Sequence, residues 1–588
     1  MERLWTEQGT ALHQSEQQPW PQYPRPQLQR DSFRNLNGWW DFAISSDERP
    51  PQRYDRRIRV PFVPESALSG IEEAVPDGSF LWYRLRLDPP FAESGARVLL
   101  HVGAADQTAV VWVDGRRAPL VQGTSSNGYT HEGGYEAFTA ELTELLPAEG
   151  PAELVLQVHD HLGSYAYPYG KQSLTRGGMW YTPCSGIWQT VWLETVPEEY
   201  IQGVHTKTAQ NAAGDWTVIF TVDGIAEGTV HVLGQDLALT QGKAKLLIKE
   251  PRLWSPEDPY LYEFSVEAAS GDRVQSYFAL RTLDTRTIDG VPRLCLNGWP
   301  YFFNGLLDQG YWPDGLWTPA DPAMFEEEIR KVKALGFNML RKHIKVEPEL
   351  FYYACDRLGI AVFQDMVQNG DYDFKRDTLL PTVGVTRRND RKLHQDPEAR
   401  KRFIEGMMAT VHQLREHPSI VYWTIFNEGW GQFCGTESYM QLRHEDDTRW
   451  IDTASGWFHP RGLQTDVESV HNYFFPLRVH KTGKPFVLSE FGGLAWRPEG
   501  HATNLEYVYG YKKFQDRTTL AEAIVRLYEQ KILPLIPKGL CAAVYTQVSD
   551  VEDETNGLFS YDRKIQKLLP EEFAKVRQAV ESINRSGT

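Results

Sequence analysis

The run Val421-Tyr-Trp-Thr-Ile-Phe-Asn-Glu-Gly-Trp430 is apolar and β-prone until it stops at Asn427-Glu428-Gly429. It therefore reads as a buried strand that delivers a carboxyl group to its C-terminal end. A second run of the same design is Pro485-Phe-Val-Leu-Ser-Glu-Phe-Gly-Gly493, where Phe486, Val487 and Leu488 are continuous strand and Glu490 stands ahead of two glycines. In a parallel (β/α) barrel every strand's C-terminal end faces one rim, so residues roughly sixty positions apart can converge there. A single Glu at a strand end is more often a solvated turn residue. Two of them, each closing a run too apolar for an edge strand and each followed closely by Gly, ask for another account. Convergent paired carboxyls are the equipment of glycoside hydrolysis, one as acid/base and one as nucleophile or base.

The barrel expected around these runs begins near residue 286, where strands start to alternate with amphipathic helices. Strands are expected at Tyr301–Gly305, Phe337–Arg341, Ala361–Asp365, Val421–Glu428, Trp450–Ser455, Ser469–Tyr473, Phe486–Glu490 and Leu540–Gln547. Helices fall between them. Phe325, Ile329, Val332 and Leu335 recur at helical spacing, as do Phe403, Met407, Val411 and Leu414. The 286–588 segment is thus a C-terminal (β/α)8 TIM barrel.

Upstream the texture is all-β. Short alternating runs such as Leu81–Leu87, Val98–Gly103 and Ala109–Gly115, broken by Gly, Pro and Asp, place a jelly-roll sandwich over 30–195. Pro183-Cys-Ser-Gly-Ile-Trp-Gln-Thr-Val-Trp-Leu-Glu194 carries apolar bulk on both faces, which predicts burial on both. A further ninety or so residues, 196–285, suit one immunoglobulin-like sandwich. Residues 1–29, rich in Gln and Pro and without apolar period, read as an extended lead-in on the surface.

With 588 residues the chain exceeds one core. Its net charge of -17 argues against nucleic-acid or anionic-membrane partners, both of which need a basic face. Five scattered cysteines (Cys184, Cys295, Cys355, Cys434, Cys541) include no C-x-x-C pair, so neither a disulfide framework nor a zinc site is indicated. The first twenty residues lack the apolar centre of a signal peptide, and a cytoplasmic location is expected. A carbohydrate substrate is the expected partner; self-association is left open.

Trp423-Thr-Ile-Phe-Asn-Glu-Gly429 and Leu488-Ser-Glu-Phe-Gly492 resemble the acid/base and nucleophile signatures of glycoside hydrolase family 2, which includes β-galactosidases, β-glucuronidases and β-mannosidases. Val60-Pro-Phe-Val-Pro-Glu-Ser66, Val111-Trp-Val-Asp-Gly115, Gly133-Gly-Tyr-Glu-Ala-Phe138 and Ser185-Gly-Ile-Trp188 resemble that family's jelly-roll domain in its usual order. The resemblance implies Glu428 as acid/base, Glu490 as nucleophile, Asn427 as a contact to the sugar 2-hydroxyl, Tyr473 orienting the nucleophile and Arg341 supporting it. His471 and Trp430 are implied as substrate contacts.

Departures from the family pattern bear on specificity. Where the family commonly has Arg, two residues and His-Tyr-Pro, this chain has Arg341-Lys-His-Ile-Lys345, so no role is carried to His343. The magnesium-binding Glu-x-His of some galactosidases is replaced by Phe363-Gln-Asp-Met-Val-Gln-Asn-Gly370, and no metal or other cofactor is expected. The Asn-x-Lys by which glucuronidases hold the sugar carboxylate is replaced by Asp553-Glu-Thr-Asn-Gly-Leu-Phe559, two acids and no lysine. A galactosidase-type jelly-roll Asp is replaced by Trp180. The expectation is an exo-acting, retaining, galactosidase-like β-glycosidase for neutral sugars. A β-glucuronidase, and an inactive carbohydrate-binding protein with a dead barrel, are the alternatives.

Overall fold

The structure, a computed structural model, describes residues 3–91, 95–382, 385–386, 389–504 and 509–586. The two residues at each end of the chain therefore lie outside the described residues.

Eight parallel strands form the barrel: β1 (Phe303–Asp308), β2 (Met339–Lys342), β3 (Ala361–Asp365), β4 (Ile420–Asn427), β5 (Trp450–Ser455), β6 (Glu468–Asn472), β7 (Phe486–Gly492) and β8 (Leu540–Thr546). Their spatial order is β5-β4-β3-β2-β1-β8-β7-β6. The ladder runs unbroken along that path, and side chains bridge the remaining seam. There the Ser455 hydroxyl of β5 meets His471 of β6 at 2.9 Å. All eight strands expected from the sequence are present, displaced by at most three residues at their ends.

The strand interiors are buried because both faces are covered. Phe303, Leu307, Met339, Phe363, Tyr422, Val487 and Val544 fill the barrel axis, and Phe403, Met407, Val411 and Leu414 pack from the helix Pro397–Leu414 onto the outside. That helix is capped by the Asp396 side chain and has Pro397 in its first turn, a start signal the sequence displays. Leu294 and Leu296, on the antiparallel hairpin that precedes the barrel, join the axial cluster at the opposite end from the rim.

The jelly roll pairs a five-stranded antiparallel sheet with a larger one. Trp40, Phe42, Leu81, Tyr83, Leu100, Val111 and Leu156 interdigitate between them. Residues 184–194 are buried on both faces as expected, although the strand is interrupted between Gly186–Ile187 and Val191–Pro197. The next domain is a sandwich rolled from one antiparallel path of seven strands around Trp216, Val218, Phe220, Phe264 and Phe278.

The lead-in differs from its expectation. Glu7–His13 is a helix, N-capped by Thr6, whose hydroxyl and amide also bind the buried Asp314 carboxylate at 2.6 and 2.8 Å. Trp20 is 2% exposed, and its indole donates to the Pro319 carbonyl. About two turns of helix are too short to display an apolar period, and their order comes from tertiary contacts that local sequence does not carry. Trp20→Ala is expected to lower barrel stability by about 3 to 5 kcal/mol, the usual loss for truncating a buried aromatic. The check is the midpoint of the urea unfolding transition, which an exposed lead-in would leave unmoved.

Candidate active site

Asn427 closes β4, and the chain turns immediately after it. Glu428 takes up the left-handed backbone conformation with φ 56°, which costs a non-glycine residue about 1 kcal/mol or more. Gly429 follows at φ 77°, and a Cβ there would come within 2.9 Å of the Phe458 ring. The turn is held by the Glu428 amide, which donates to the Ser455 carbonyl of β5. Glu428 is thereby carried over the barrel mouth, where its Oε1 meets His471 Nδ1 at 2.8 Å.

Glu490, on β7, is 5% exposed and reaches the same place. Arg341 Nη1 donates to its Oε1 at 3.0 Å and the Tyr473 hydroxyl to its Oε2 at 2.6 Å. His471 Nε2 lies 3.4 Å from Oε1. One oxygen of Glu428, one of Glu490 and a ring nitrogen of His471 lie within 4.8 Å of one another, the tightest convergence of such groups among the described residues. Burial by itself raises the Glu490 pKa, but the charges of His471, Arg341 and His343 and the Tyr473 hydrogen bond outweigh it. The net effect holds this carboxyl well below the ordinary range, and it is ionised at neutral pH.

Arg341 organises the rest. Its guanidinium is 1% exposed and also donates to Asp365 Oδ1 at 2.9 Å, to Asn427 Oδ1 at 3.0 Å and to the Ser489 carbonyl at 3.1 Å. With its amide oxygen so engaged, Asn427 keeps its NH2 as the group able to donate to a sugar hydroxyl. Asp365 in turn accepts from His343 Nδ1 at 2.7 Å. Both oxygens of the acid at the end of β3 are therefore occupied by cationic or imidazole donors, which is a poor start for a magnesium site.

Glu428, Glu490, Asn427, Tyr473, His471 and Arg341 are thus brought together. Trp430 is not placed as expected. It is 3% exposed, packs edge-on to Trp180 at 5.0 Å and against Tyr169 at 5.5 Å, and hydrogen-bonds the Gly370 carbonyl. A ring enclosed in this way supports the wall and offers no open face to a sugar. Trp423 and Phe426 also turn away, Trp423 to Asp446 and Phe426 onto the ring of Phe403.

Three residues near the site were not assigned from sequence. His343 shares a strand face with Arg341 by the two-residue period, and that was the available signal. Ser455 accompanies His471. Lys171 comes from the jelly roll and is 9% exposed, with its ammonium 5.7 Å from the centre of the Trp180 ring. It follows Gly170, whose amide donates to the Gln368 carbonyl just beyond β3. The hairpin beyond Lys171 is clamped to the barrel loop 552–556: Arg176 and the Thr182 amide bind Glu552, and the Tyr181 hydroxyl binds Glu554 at 2.7 Å. Of the two acids expected to repel an anionic sugar, Glu554 is engaged in this clamp, and Asp553 lies 3.5 Å from Arg176 and accepts from the Asn504 side chain at 2.9 Å.

The barrel segment 294–571 matches the model of the glycosyl hydrolases family 2 TIM barrel domain, and 201–281 matches a second model of glycosyl hydrolases family 2. The chain belongs to glycoside hydrolase family 2. A β-glucuronidase of Paenibacillus borealis is 24% identical over 69% of this chain and 69% of its own length. That of Felis catus is 23% identical over 69% of this chain and 65% of its own. The chain spans only 39% of the length of a 23% identical relative from Formosa agariphila. Among solved structures, a β-D-glucuronidase of Dictyoglomus thermophilum shares the fold, with TM-score 0.73 and 17% identity over 95% of this family 2 chain and 98% of that one. A galacturonate-bound β-galacturonidase of Eisenbergiella tayi does so with TM-score 0.66 and 17% identity, covering 95% and 99%.

Arg341→Gln removes one of the charges that keep Glu490 ionised, so the Glu490 pKa rises and the acidic limb of the kcat/KM profile moves to higher pH. A loss of at least about 100-fold at neutral pH is expected, since a buried charge left unpaired costs about 3 to 5 kcal/mol. An unshifted acidic limb in the variant would show that Arg341 does not set the state of Glu490.

Proposed function

We propose that this chain is an exo-acting, retaining β-glycosidase that removes a terminal uronic acid, as a β-glucuronidase does. The observation that carries the glycosidase reading is the pair Glu428 and Glu490, with carboxyl oxygens within 4.8 Å on either side of His471. Retaining enzymes place their carboxyls about 5 to 5.5 Å apart, whereas inverting ones need about 6.5 to 9.5 Å to admit a water. An intact pair of this geometry also argues against the inactive carbohydrate-binding alternative.

The two carboxyls occupy different surroundings, which is what a double displacement requires. Glu490, buried and ionised, attacks the anomeric carbon, and the C–O bond to the aglycone breaks. Glu428 is the more open of the two, with a side chain 19% exposed. Its Oε1 accepts from His471, which leaves Oε2 to carry the proton to the departing oxygen. Once Glu490 is esterified its charge is gone, and the Glu428 carboxylate takes a proton from the water that attacks the same carbon. His471 spans the pair: its Nδ1 faces Glu428, and its Nε2 lies 2.9 Å from the Ser455 hydroxyl and 3.3 Å from Arg341 Nη1. The exo-acting reading is supported by the jelly-roll hairpin, which docks on the 552–556 loop beside the barrel mouth.

The uronide reading is supported by the relatives, which carry the name β-glucuronidase. The neutral, galactosidase-like expectation rested on two acids, Asp553 and Glu554, and a missing lysine in the 553–559 loop, and its premise weakens because Asp553 lies 3.5 Å from the Arg176 guanidinium and Glu554 accepts from the Tyr181 hydroxyl.

Two measurements test the reading. Proton NMR of the first product from p-nitrophenyl β-D-glucuronide should show the β-anomer; the α-anomer would exclude retention. Across p-nitrophenyl β-glucuronide, β-galacturonide, β-glucoside and β-galactoside, a uronide should have the highest kcat/KM. A neutral glycoside ahead of both uronides would return the galactosidase-like reading to first place.

A further inference from the structure

An anionic sugar needs a cation in its subsite, because burying a carboxylate without one costs several kcal/mol. The cations carried by the barrel strands at the rim are already committed. Arg341 is shared among Glu490, Asp365 and Asn427. Lys342 points outward between Asp308 at 2.6 Å and Glu347 at 2.8 Å. Lys345 is held by Glu347 and by the carbonyls of Gly310 and Trp317.

Lys171 differs from all of these. Its residue is buried, yet among the described residues no carboxylate lies within ion-pairing distance of its ammonium, which stands 5.7 Å from the centre of the Trp180 ring. The residue keeps 9% of its surface exposed. Electrostatically it stands by the catalytic rim: its charge opposes protonation of His343, which faces Glu490, and favours the ionised form of Glu554.

The backbone around Lys171 is built for this placement. Gly170 has φ 66°, and a Cβ there would meet the Ile344 carbonyl at 2.9 Å and the Tyr135 hydroxyl at 3.0 Å, so the strand end and the loop touch directly. The Tyr169 and Gly170 amides both donate to the Gln368 carbonyl. Gln172, on the other side, is locked to Asp106 at 2.9 Å. Tyr181, whose hydroxyl holds Glu554, donates its amide to the Lys171 carbonyl. The acids of the 552–556 loop therefore dock the hairpin that carries a lysine, where a barrel loop would otherwise supply the lysine itself.

We propose that Lys171 is the residue that binds the carboxylate of a uronic acid glycone. An ammonium near the Trp180 ring with no carboxylate of the protein paired to it would recognise the C6 carboxylate, and the jelly roll, not the barrel, would set the charge preference of the enzyme. This inference rests on the uronide reading above.

The test measures kcat/KM for p-nitrophenyl β-glucuronide and β-glucoside with the wild type, Lys171→Met and Lys171→Arg, with thermal unfolding as the control for folding. Lys171→Met is expected to lower the uronide-to-neutral ratio by about 100-fold, the loss typical of one charge-assisted hydrogen bond. Lys171→Arg, which keeps the charge, is expected to hold the ratio within about tenfold of wild type. Should Lys171→Met fail to fold, Lys171→Gln decides in the same assay. If the wild type prefers the uronide and the uncharged variants keep that preference, or lose both substrates equally, Lys171 is structural and the assignment falls while the uronide reading stands. If the wild type prefers the neutral glycoside, the uronide reading itself falls, and the assignment with it.

Discussion

A single buried guanidinium fixes the geometry on which everything at the rim depends. Arg341 stands on β2 with almost no exposure, yet it joins the ends of β3, β4 and β7 through Asp365, Asn427 and Glu490. A buried ion pair is weak evidence for stability, because desolvation offsets much of the attraction. Its value here is positional. The fork of donors determines which oxygen of Glu490 is engaged and leaves Oε2 to Tyr473, so the carboxylate proposed as nucleophile has one orientation and a fixed charge. Asp365 completes the arrangement by balancing Arg341 and ordering His343.

His471 gives the two carboxyls different environments although they are only a few ångströms apart. It sits at the seam where β5 and β6 meet through side chains, and Ser455 from β5 fixes its Nε2. The seam is thus the point at which Glu428 and Glu490, the proposed acid/base and nucleophile, are linked through one imidazole. The left-handed turn at Glu428 is a local cost that the β4–β5 ladder repays, since the Glu428 amide bonds to the Ser455 carbonyl.

The paired carboxyls were legible because they follow from period and topology: apolar runs that end in Glu, in a segment where strands alternate with helices, place both groups on one rim. Arg341 and Tyr473 were legible only through family motifs. Trp430 misled because an aromatic next to a catalytic acid says nothing about which way its ring faces, and here the ring supports the wall between Tyr169 and Trp180. Asp553 and Glu554 misled for a related reason. In sequence they are uncompensated acids, and their partners Arg176 and Tyr181 stand some 370 residues away, across a domain boundary. The helix at Glu7–His13 and the anchoring of Trp20 belong to the same class, order imposed by distant contacts on a stretch with no period of its own.

The central claim is that Glu490 becomes covalently bonded to the sugar while Glu428 handles the proton. Peptide mapping by mass spectrometry after incubation with 2-deoxy-2-fluoro-β-glucuronyl fluoride, and in parallel with its glucosyl counterpart, tests it most directly. The account predicts one fluorosugar adduct, located on Glu490. An adduct on Glu428, or turnover of these reagents with no adduct under conditions that saturate the enzyme, would contradict it.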